Sequence, residues 1–383
     1  MKTQIVKTKD DIRQSNAWPI LPFSEVVDIL DSKRVPVNRK ERAKRIGKIP
    51  YYGATGQVGW IDDFLFDEEL VLLGEDGAPF LDPSKPKAYL IEGKAWVNNH
   101  AHVLRAKKGL LNKFLFYQLN RLDYRPYVSG TTRLKLPQGT MKNIKLVVPP
   151  LNVQKEIIED IETQFTRLDA GVAALKRAQA NLKRYRAAVL KAAFLNKEYD
   201  EKVLGEICDL IMGQSPPGNT YNTKRKGLPF YQGKTEFGVT YPTPVKWCDR
   251  PKKIAEEGDI LISVRAPVGP TNITQNKSCI GRGIAAIRPH KGIPTLYILY
   301  AIRATVDKLK EKATGTTFEA ISGVHLRNHL IPLAPESVRG NIVNEVERKL
   351  SVIEKQEENI IEKLKMAGNL RNAILKQAFC DGV

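Results

Sequence analysis

The 383-residue chain has only four cysteines, Cys208, Cys248, Cys279 and Cys380, all in its second half and irregularly spaced. That pattern builds neither a disulfide framework nor a set of paired thiolate metal ligands, so reduced thiols are expected. No run of about 18 apolar residues exists, and Met1 to Trp18 alternates charged and polar residues without an apolar centre. Neither secretion nor membrane insertion is indicated, and a cytoplasmic protein is expected. A Gly-x4-Gly-Lys-Ser/Thr loop is also missing, which removes the usual cradle for ATP phosphates. An amino-methyltransferase would carry Asn or Asp before Pro-Pro and an aromatic residue, but here Pro149-Pro150 follows Val148.

What the chain has in excess is positive charge. Lys and Arg number 61 against 42 acids, a formal net charge of +19 with a pI near 9.6. An imbalance of that size points to a polyanionic partner, with nucleic acid the first candidate.

An internal repeat organises the sequence. The segment from Pro150 through Glu162 aligns without gaps on Pro335 through Glu347, a constant shift of 185 positions. The same shift carries Arg186-Ala-Ala-Val-Leu-Lys-Ala-Ala-Phe194 onto Arg371-Asn-Ala-Ile-Leu-Lys-Gln-Ala-Phe379, and Gly130-Thr131-Thr132 and Asn143 onto Gly315-Thr316-Thr317 and Asn328. Earlier parts correspond only in fragments with drifting offsets: Glu25–Asp28 with Glu206–Asp209, Pro50–Tyr52 with Pro229–Tyr231, and Phe114–Tyr117 with Tyr297–Tyr300. Two globular parts thus share a framework and differ in their loops.

Each repeated segment ends in a helical pattern. Ile161, Phe165, Leu168, Val172, Leu175, Leu182 and Val189 recur at spacings of three, four and seven, as do Val346, Leu350, Ile353, Ile360, Leu364, Ala367 and Ile374. Asn152 and Ser337 stand at matched places before the apolar period and are the expected N-caps. Roughly 40 residues at about 1.5 Å each give a rod of about 60 Å. Packing onto the helix's own domain is the alternative use of one such stripe, but two matching stripes favour pairing with each other. Because a globular part lies between them, the helices can return antiparallel, with the domains at opposite ends in a pseudo-two-fold dumbbell.

The expected fold class is α+β. The divisions are an N-terminal extension (1–16), a mixed β-rich domain (17–149), a central coiled-coil helix (150–198), a second such domain (199–334) and a distal coiled-coil helix (335–383). Short β-type runs broken by Gly and Pro, such as Glu69–Leu73, His102–Leu104 and Asp259–Val264, support the globular assignments. The helical segments carry only +3 and +1, leaving +15 to the rest. Charge concentrated on loop-rich domains suits phosphate contacts better than a solvated spacer does.

The candidate DNA-binding residues lie in basic clusters interleaved with aromatics and amides. In the first domain they are Arg39, Lys40, Arg42 and Arg45 leading into Tyr52, and the turn Thr131, Thr132, Arg133 and Lys135. In the second they are Gln214, Ser215, Lys224, Arg225, Gln232, Lys234, Arg265, Arg282, Thr316 and Thr317. Arg matches guanine and Asn or Gln matches adenine bidentately in the major groove. A metal-dependent nuclease set of Asp82, Glu92 and Lys94 is an alternative, but the second half offers no counterpart. His325 and His329 are spaced for metal on one helical turn but lack Cys or acid companions nearby, which favours a structural role.

Taken together, Leu204–Leu210, Leu228–Gly233, Gly258–Pro267, Gly315 through Pro332 and the two Ala-Val/Ile-Leu-Lys-x-Ala-Phe helix endings resemble the specificity (S) subunit of type I restriction-modification systems. The resemblance spans nearly the whole chain and is weaker in the first domain, where Glu69–Ala78 stands in place of Gly258–Ala266. It implies two target-recognition domains, each reading half of a bipartite, asymmetric site in double-stranded DNA. It further implies that the helices fix the unread gap and dock two copies of a DNA methyltransferase (M) subunit, to which restriction/translocase (R) subunits are added. No catalytic residue, metal or cofactor is then expected in this chain; S-adenosylmethionine, ATP and Mg²⁺ belong to the partners. A DNA-binding basic coiled-coil protein without sequence preference is the remaining alternative, and it leaves the duplicated, loop-divergent domains unexplained.

Overall fold

The structure, a computed structural model, describes residues 18–196, 198–313 and 320–380. The N-terminal extension and the Thr316-Thr317 pair therefore lie outside the described residues. Two compact units result: one joins the chain up to Lys176 with the segment from Ile361 onward, and the other is Arg177–Ile360.

In the first unit, a four-stranded sheet runs in the order Val27–Ile29, Ala101–Ala106, Leu70–Gly74, Ala88–Ile91, all pairs antiparallel. The five residues of Leu70–Gly74 are all buried, which explains why this strand reads as a continuous apolar run rather than an alternating one. A second sheet is ordered Gly56–Ile61, Ile49–Gly53, Lys94–Val97, Phe66–Asp67, with the middle pair parallel. The strand Ile20–Pro22 pairs with Lys145–Val147 and closes the domain onto the start of the first long helix.

The second unit repeats this plan, with one extra strand, Tyr221–Asn222, at the edge of its second sheet. Its four-stranded sheet is ordered Cys208–Met212, Ile284–Pro289, Ile260–Ser263, Thr271–Ile273. Its second sheet again holds one parallel pair, Leu228–Tyr231 with Ser278–Ile280, flanked by antiparallel strands. Asp200–Val203 with Leu330–Leu333 closes it. The helix Thr295–Lys310 packs where the shorter Asn112–Arg121 packs in the first unit. The drifting fragments of the sequence thus mark equivalent elements.

The long helices are Leu151–Phe194, of 44 residues, and Glu336–Cys380, of 45. Asn152 and Ser337 lie inside them, which corrects their assignment as N-caps. Pro150 and Pro335 precede the first helical residues, and their carbonyls accept from the Gln154 and Val338 amides at 3.0 and 3.1 Å. Proline suits that place because it has no N–H of its own to leave unsatisfied. Contacts descend the distal helix as they climb the central one: Asp169 pairs with Arg371 at 2.9 Å, and Arg186 with Glu357 at 2.8 Å, so the helices are antiparallel. Each helix is shared between units. The Phe379 ring, at the end of the distal helix, lies 5.0 Å from Phe114 in the first unit's core. Its counterpart Phe194 lies 5.1 Å from Tyr297 in the second. Both phenylalanines are fully buried. Among the described residues no helix is long and apolar enough to cross a membrane.

Candidate nucleic-acid interface

In the second unit a cleft of about 410 Å³ is lined by Ser215, Gln232, Lys234, Arg265 and Arg282, together with Tyr221. Its floor depends on glycines. A Cβ on Gly283 would stand 2.2 Å from the Gln232 carbonyl oxygen, and one on Gly213 2.2 Å from the Gly281 oxygen, so only glycine lets these strands meet. The Gly281 amide donates to the Tyr231 carbonyl at 2.8 Å, the Arg282 amide to Ser215 Oγ at 3.3 Å and the Val264 amide to the Gly283 carbonyl at 2.9 Å. Ser263 Oγ donates to the Arg265 carbonyl at 3.0 Å. The backbone under both arginines is therefore fixed while their side chains are exposed. Among the described residues no acid pairs with Lys234, Arg265 or Arg282.

Five of the residues singled out from the sequence thus meet in one cleft. Gln214 is exposed beside it, its amide held by the Ile280 carbonyl at 3.0 Å. Lys224 and Arg225 do not line it. They sit in a turn built on Asn222, whose Oδ1 accepts from the Lys224 and Lys226 amides at 3.1 and 3.0 Å. Arg225 has φ of 59° and lies 5.7 Å over the Trp247 ring.

The first unit has the same corner with different chemistry. The Asn98 amide donates to the Tyr52 carbonyl at 3.1 Å and the Glu75 amide to the His100 carbonyl at 2.8 Å, matching Gly281 with Tyr231 and Val264 with Gly283. By that register Asp76 stands at the place of Arg265 and the exposed Asn99 at that of Arg282. Asp76 lies 2.7 Å from Arg133 and 2.8 Å from His100 Nδ1. Lys135 lies 3.5 Å from Glu75, which also takes Arg34 at 2.7 Å. Arg133 and Lys135 are exposed cations drawn onto acids, and Thr131 and Thr132 are exposed in the turn before them.

Beneath this corner Asp31, Glu75 and His102 converge. His102 is fully buried, with Nδ1 2.6 Å from Asp31 and Nε2 2.9 Å from the Leu136 carbonyl. Burial alone would raise the Asp31 carboxyl, but the His102 hydrogen bond and charge, the Val103 amide and Arg34 outweigh it and hold it below its usual value. The Arg34 guanidinium, 3.3 Å from Asp31, already supplies a cation here, and both His102 nitrogens face oxygens. The cluster is a structural link between loops, and nothing in the sequence spacing signals it.

Arg39 and Lys40 are exposed on the short helix Arg39–Arg42, capped by Asn38. Arg42 lies 4.5 Å over the Tyr51 ring, and Arg45 lies 4.5 Å over the Trp96 ring while pairing with Asp62 at 2.7 Å. Tyr52 is half-buried against Tyr89.

On the helices, Leu168, Val172 and Leu175 line a groove of about 720 Å³ with Met366, Ala367 and Ile374. Phe165 lies under the Arg371 guanidinium, 4.2 Å away. In the second unit Leu182 packs on a cluster holding Leu350 and Ile353; Ile360 is buried and Leu364, in the first unit, half-buried. The nuclease alternative finds no support in the described geometry. Asp82 Oδ1 accepts from the Ser84 amide and hydroxyl, which hold it below the usual carboxylate range, and Lys94 lies over the Phe64 ring. His325 caps its own short helix with Ser322, whereas His329 is buried on Thr305 Oγ at 2.8 Å and pushed down to about 4 by desolvation. Cys208 and Cys279 are buried thiols raised to about 12 by desolvation, hence unreactive.

A duplicated, β-rich fold that holds exposed Arg, Lys and Gln on a rigid cleft is that of a nucleic-acid-reading protein. Residues 17–177 and 196–365 each match the type I restriction modification DNA specificity domain. The chain is 34% identical over 308 residues to a putative type I restriction enzyme MjaX specificity subunit of Methanocaldococcus jannaschii, covering 73% of this chain and 72% of that one. It is 31% identical over 270 residues to the putative specificity subunit S.HindORF215P of Haemophilus influenzae, covering 66% of each. A chain in a solved structure of an assembled type I R-M system superposes with a TM-score of 0.76 at 27% identity, over 97% of this chain and 99% of that one. The HsdS subunit of Thermoanaerobacter tengcongensis gives 0.57 at 26% identity, over 96% and 98%. The chain belongs to the type I restriction-modification DNA specificity family, as a DNA-sequence-recognising specificity subunit.

Proposed function

We propose that residues 199–334 grip one half of a split duplex site through Gln232, Lys234, Arg265 and Arg282, while residues 17–149 take the other through Arg39, Lys40, Asn99 and the Thr131–Lys135 turn. Neither domain performs chemistry in this reading. The long helices set the gap between half-sites and dock two methyltransferase subunits that bring S-adenosylmethionine. Restriction subunits bring ATP and Mg²⁺, and the assembly works in the cytoplasm.

The cleft of the second unit carries this reading. Three exposed cations and an amide converge there on glycine-fixed backbone with no described acid to satisfy them, an arrangement suited to phosphates and guanine edges. The experiment is to co-express the chain with its methyltransferase subunit and sequence the modified bases. One split motif is expected, and exchanging residues 199–334 for another recognition domain should change one half only. Methylation unaltered by the exchange would refute the assignment. Inserting one heptad near Leu175 and another near Ile360 should lengthen the gap and leave both halves unchanged.

A further inference from the structure

Ile46 is 88% exposed, more than any other large apolar side chain described. Its turn is not loose. The Lys44 and Arg45 amides donate to the Glu41 and Arg42 carbonyls at 2.9 and 3.1 Å. On one side Arg45 is locked between the Trp96 face and the Asp62 carboxylate. On the other, Gly47 lies so close to the neighbouring strand that a Cβ would fall 2.1 Å from the Ile61 oxygen. The chain therefore anchors both neighbours of Ile46 and holds the aliphatic side chain in water. Lys44 and Lys48, two residues to either side, and Arg39 and Lys40 on the preceding short helix are exposed, with no ion pair among the described residues.

Exposure of an isoleucine forfeits burial worth about 2 kcal/mol, so a rigid, cation-rimmed isoleucine suits a partner that is anionic outside and apolar within. Duplex DNA fits: its phosphates meet the lysines, and its stacked bases accept an aliphatic wedge at an opened step. We propose that Ile46 is such a wedge, entering the base stack of the half-site engaged by residues 17–149. The inference rests on the DNA-recognition reading above. The second unit lacks the device. Gly227 packs on the Cys248 carbonyl as Gly47 packs on Ile61, and the residue before it is Lys226.

The test uses the full chain co-purified with its methyltransferase subunits. Duplexes of the methylated split site carry 2-aminopurine at successive positions, excluding the methylated base, whose extrusion by a partner would itself brighten the probe. Binding should raise fluorescence about threefold or more at one step of the first domain's half-site only, as unstacking requires. Ile46→Ala should abolish that rise and weaken binding about fivefold, Ile46→Leu should keep both, and Lys226→Ala should leave the signal intact. Because Ile46 is exposed, neither Ile46 variant threatens folding. An undiminished rise with Ile46→Ala, or no rise on a duplex that the wild-type complex binds specifically, overturns the wedge and spares the recognition reading. Failure of the wild-type complex to bind its own methylated site overturns both.

Discussion

Gly281-Arg282-Gly283 in the second unit and Asn98-Asn99-His100 in the first occupy the same corner of the same fold, held by the same backbone bonds, yet they face solvent with opposite consequences. The second unit leaves Arg265 and Arg282 without a described acid; the first puts Asp76 at the position of Arg265 and ties Arg133 and His100 to it. A shared skeleton thus does not imply a shared reading surface. One side-chain reversal on a fixed strand end decides whether the corner leaves its cations unpaired or draws them onto an acid.

The largest expected effect comes from moving that charge. Arg265→Asp gives the second unit the first unit's acid and should lower methylation of the native site about a hundredfold, since a good Arg–base pair contributes ~1–3 kcal/mol and the acid repels phosphate. Asp76→Ala, which releases Arg133 and His100 without adding a charge, should change methylation about tenfold or less. Equal effects from the two substitutions would erase the contrast.

Next is the core. Phe379→Ala should destabilise the first unit by about 3–5 kcal/mol, and Phe194→Ala the second by as much. Hydrogen exchange should rise across residues 18–149 in the former and across 199–313 in the latter. Exchange rising in the other unit would contradict the division.

A third contrast is in acid. The carbonyl of His329 accepts from the Leu204 amide at 2.8 Å, just as that of Ile144 accepts from Phe23 at 2.9 Å, so a buried histidine replaces a buried isoleucine. His329 titrates near 4 when folded, against 6.5 for a free side chain, so between those values the unfolded chain binds more protons. Stability of the second unit should therefore fall as pH drops from 6.5 to 4, by on the order of a few kcal/mol. Asp31, held low, keeps its contribution until pH falls below the ordinary carboxylate range. Urea unfolding followed by exchange at pH 7 and pH 5 should show the second unit weakening first, and His329→Gln should remove the difference.

The smallest effect separates cations that face solvent from those held by rings. Lys40→Ala should reduce the salt slope of DNA binding by about one and leave stability unchanged. Arg45→Ala should cost about 1 kcal/mol of stability through the lost Trp96 stacking.

The helices were legible in the sequence because packing along one face enforces a regular apolar period, and the shift of 185 brings one such period onto the other. The strands of the globular parts were legible in fragments: Pro50–Tyr52 and Pro229–Tyr231 do fall on equivalent strands. Five of the second domain's candidate residues do line one cleft. The fate of Arg42 and Arg45 was not legible, since Tyr51, Trp96 and Asp62 meet them only through tertiary packing. Nor was the Asp31, Glu75 and His102 cluster, whose members come from three separate segments. The division of each helix between two units left no mark either, because the apolar period runs unbroken through Lys176 and Ile361.

That division sets an order of events on the ribosome. Domains ordinarily complete in the order in which they are made. Here the second unit is contiguous and holds all its parts once Ile360 has emerged, whereas the domain made first lacks the helix that seals its core until Phe379 arrives. Of the two units, the one begun first is the last to be finished, and while the second is made it lacks the ring that packs on Phe114.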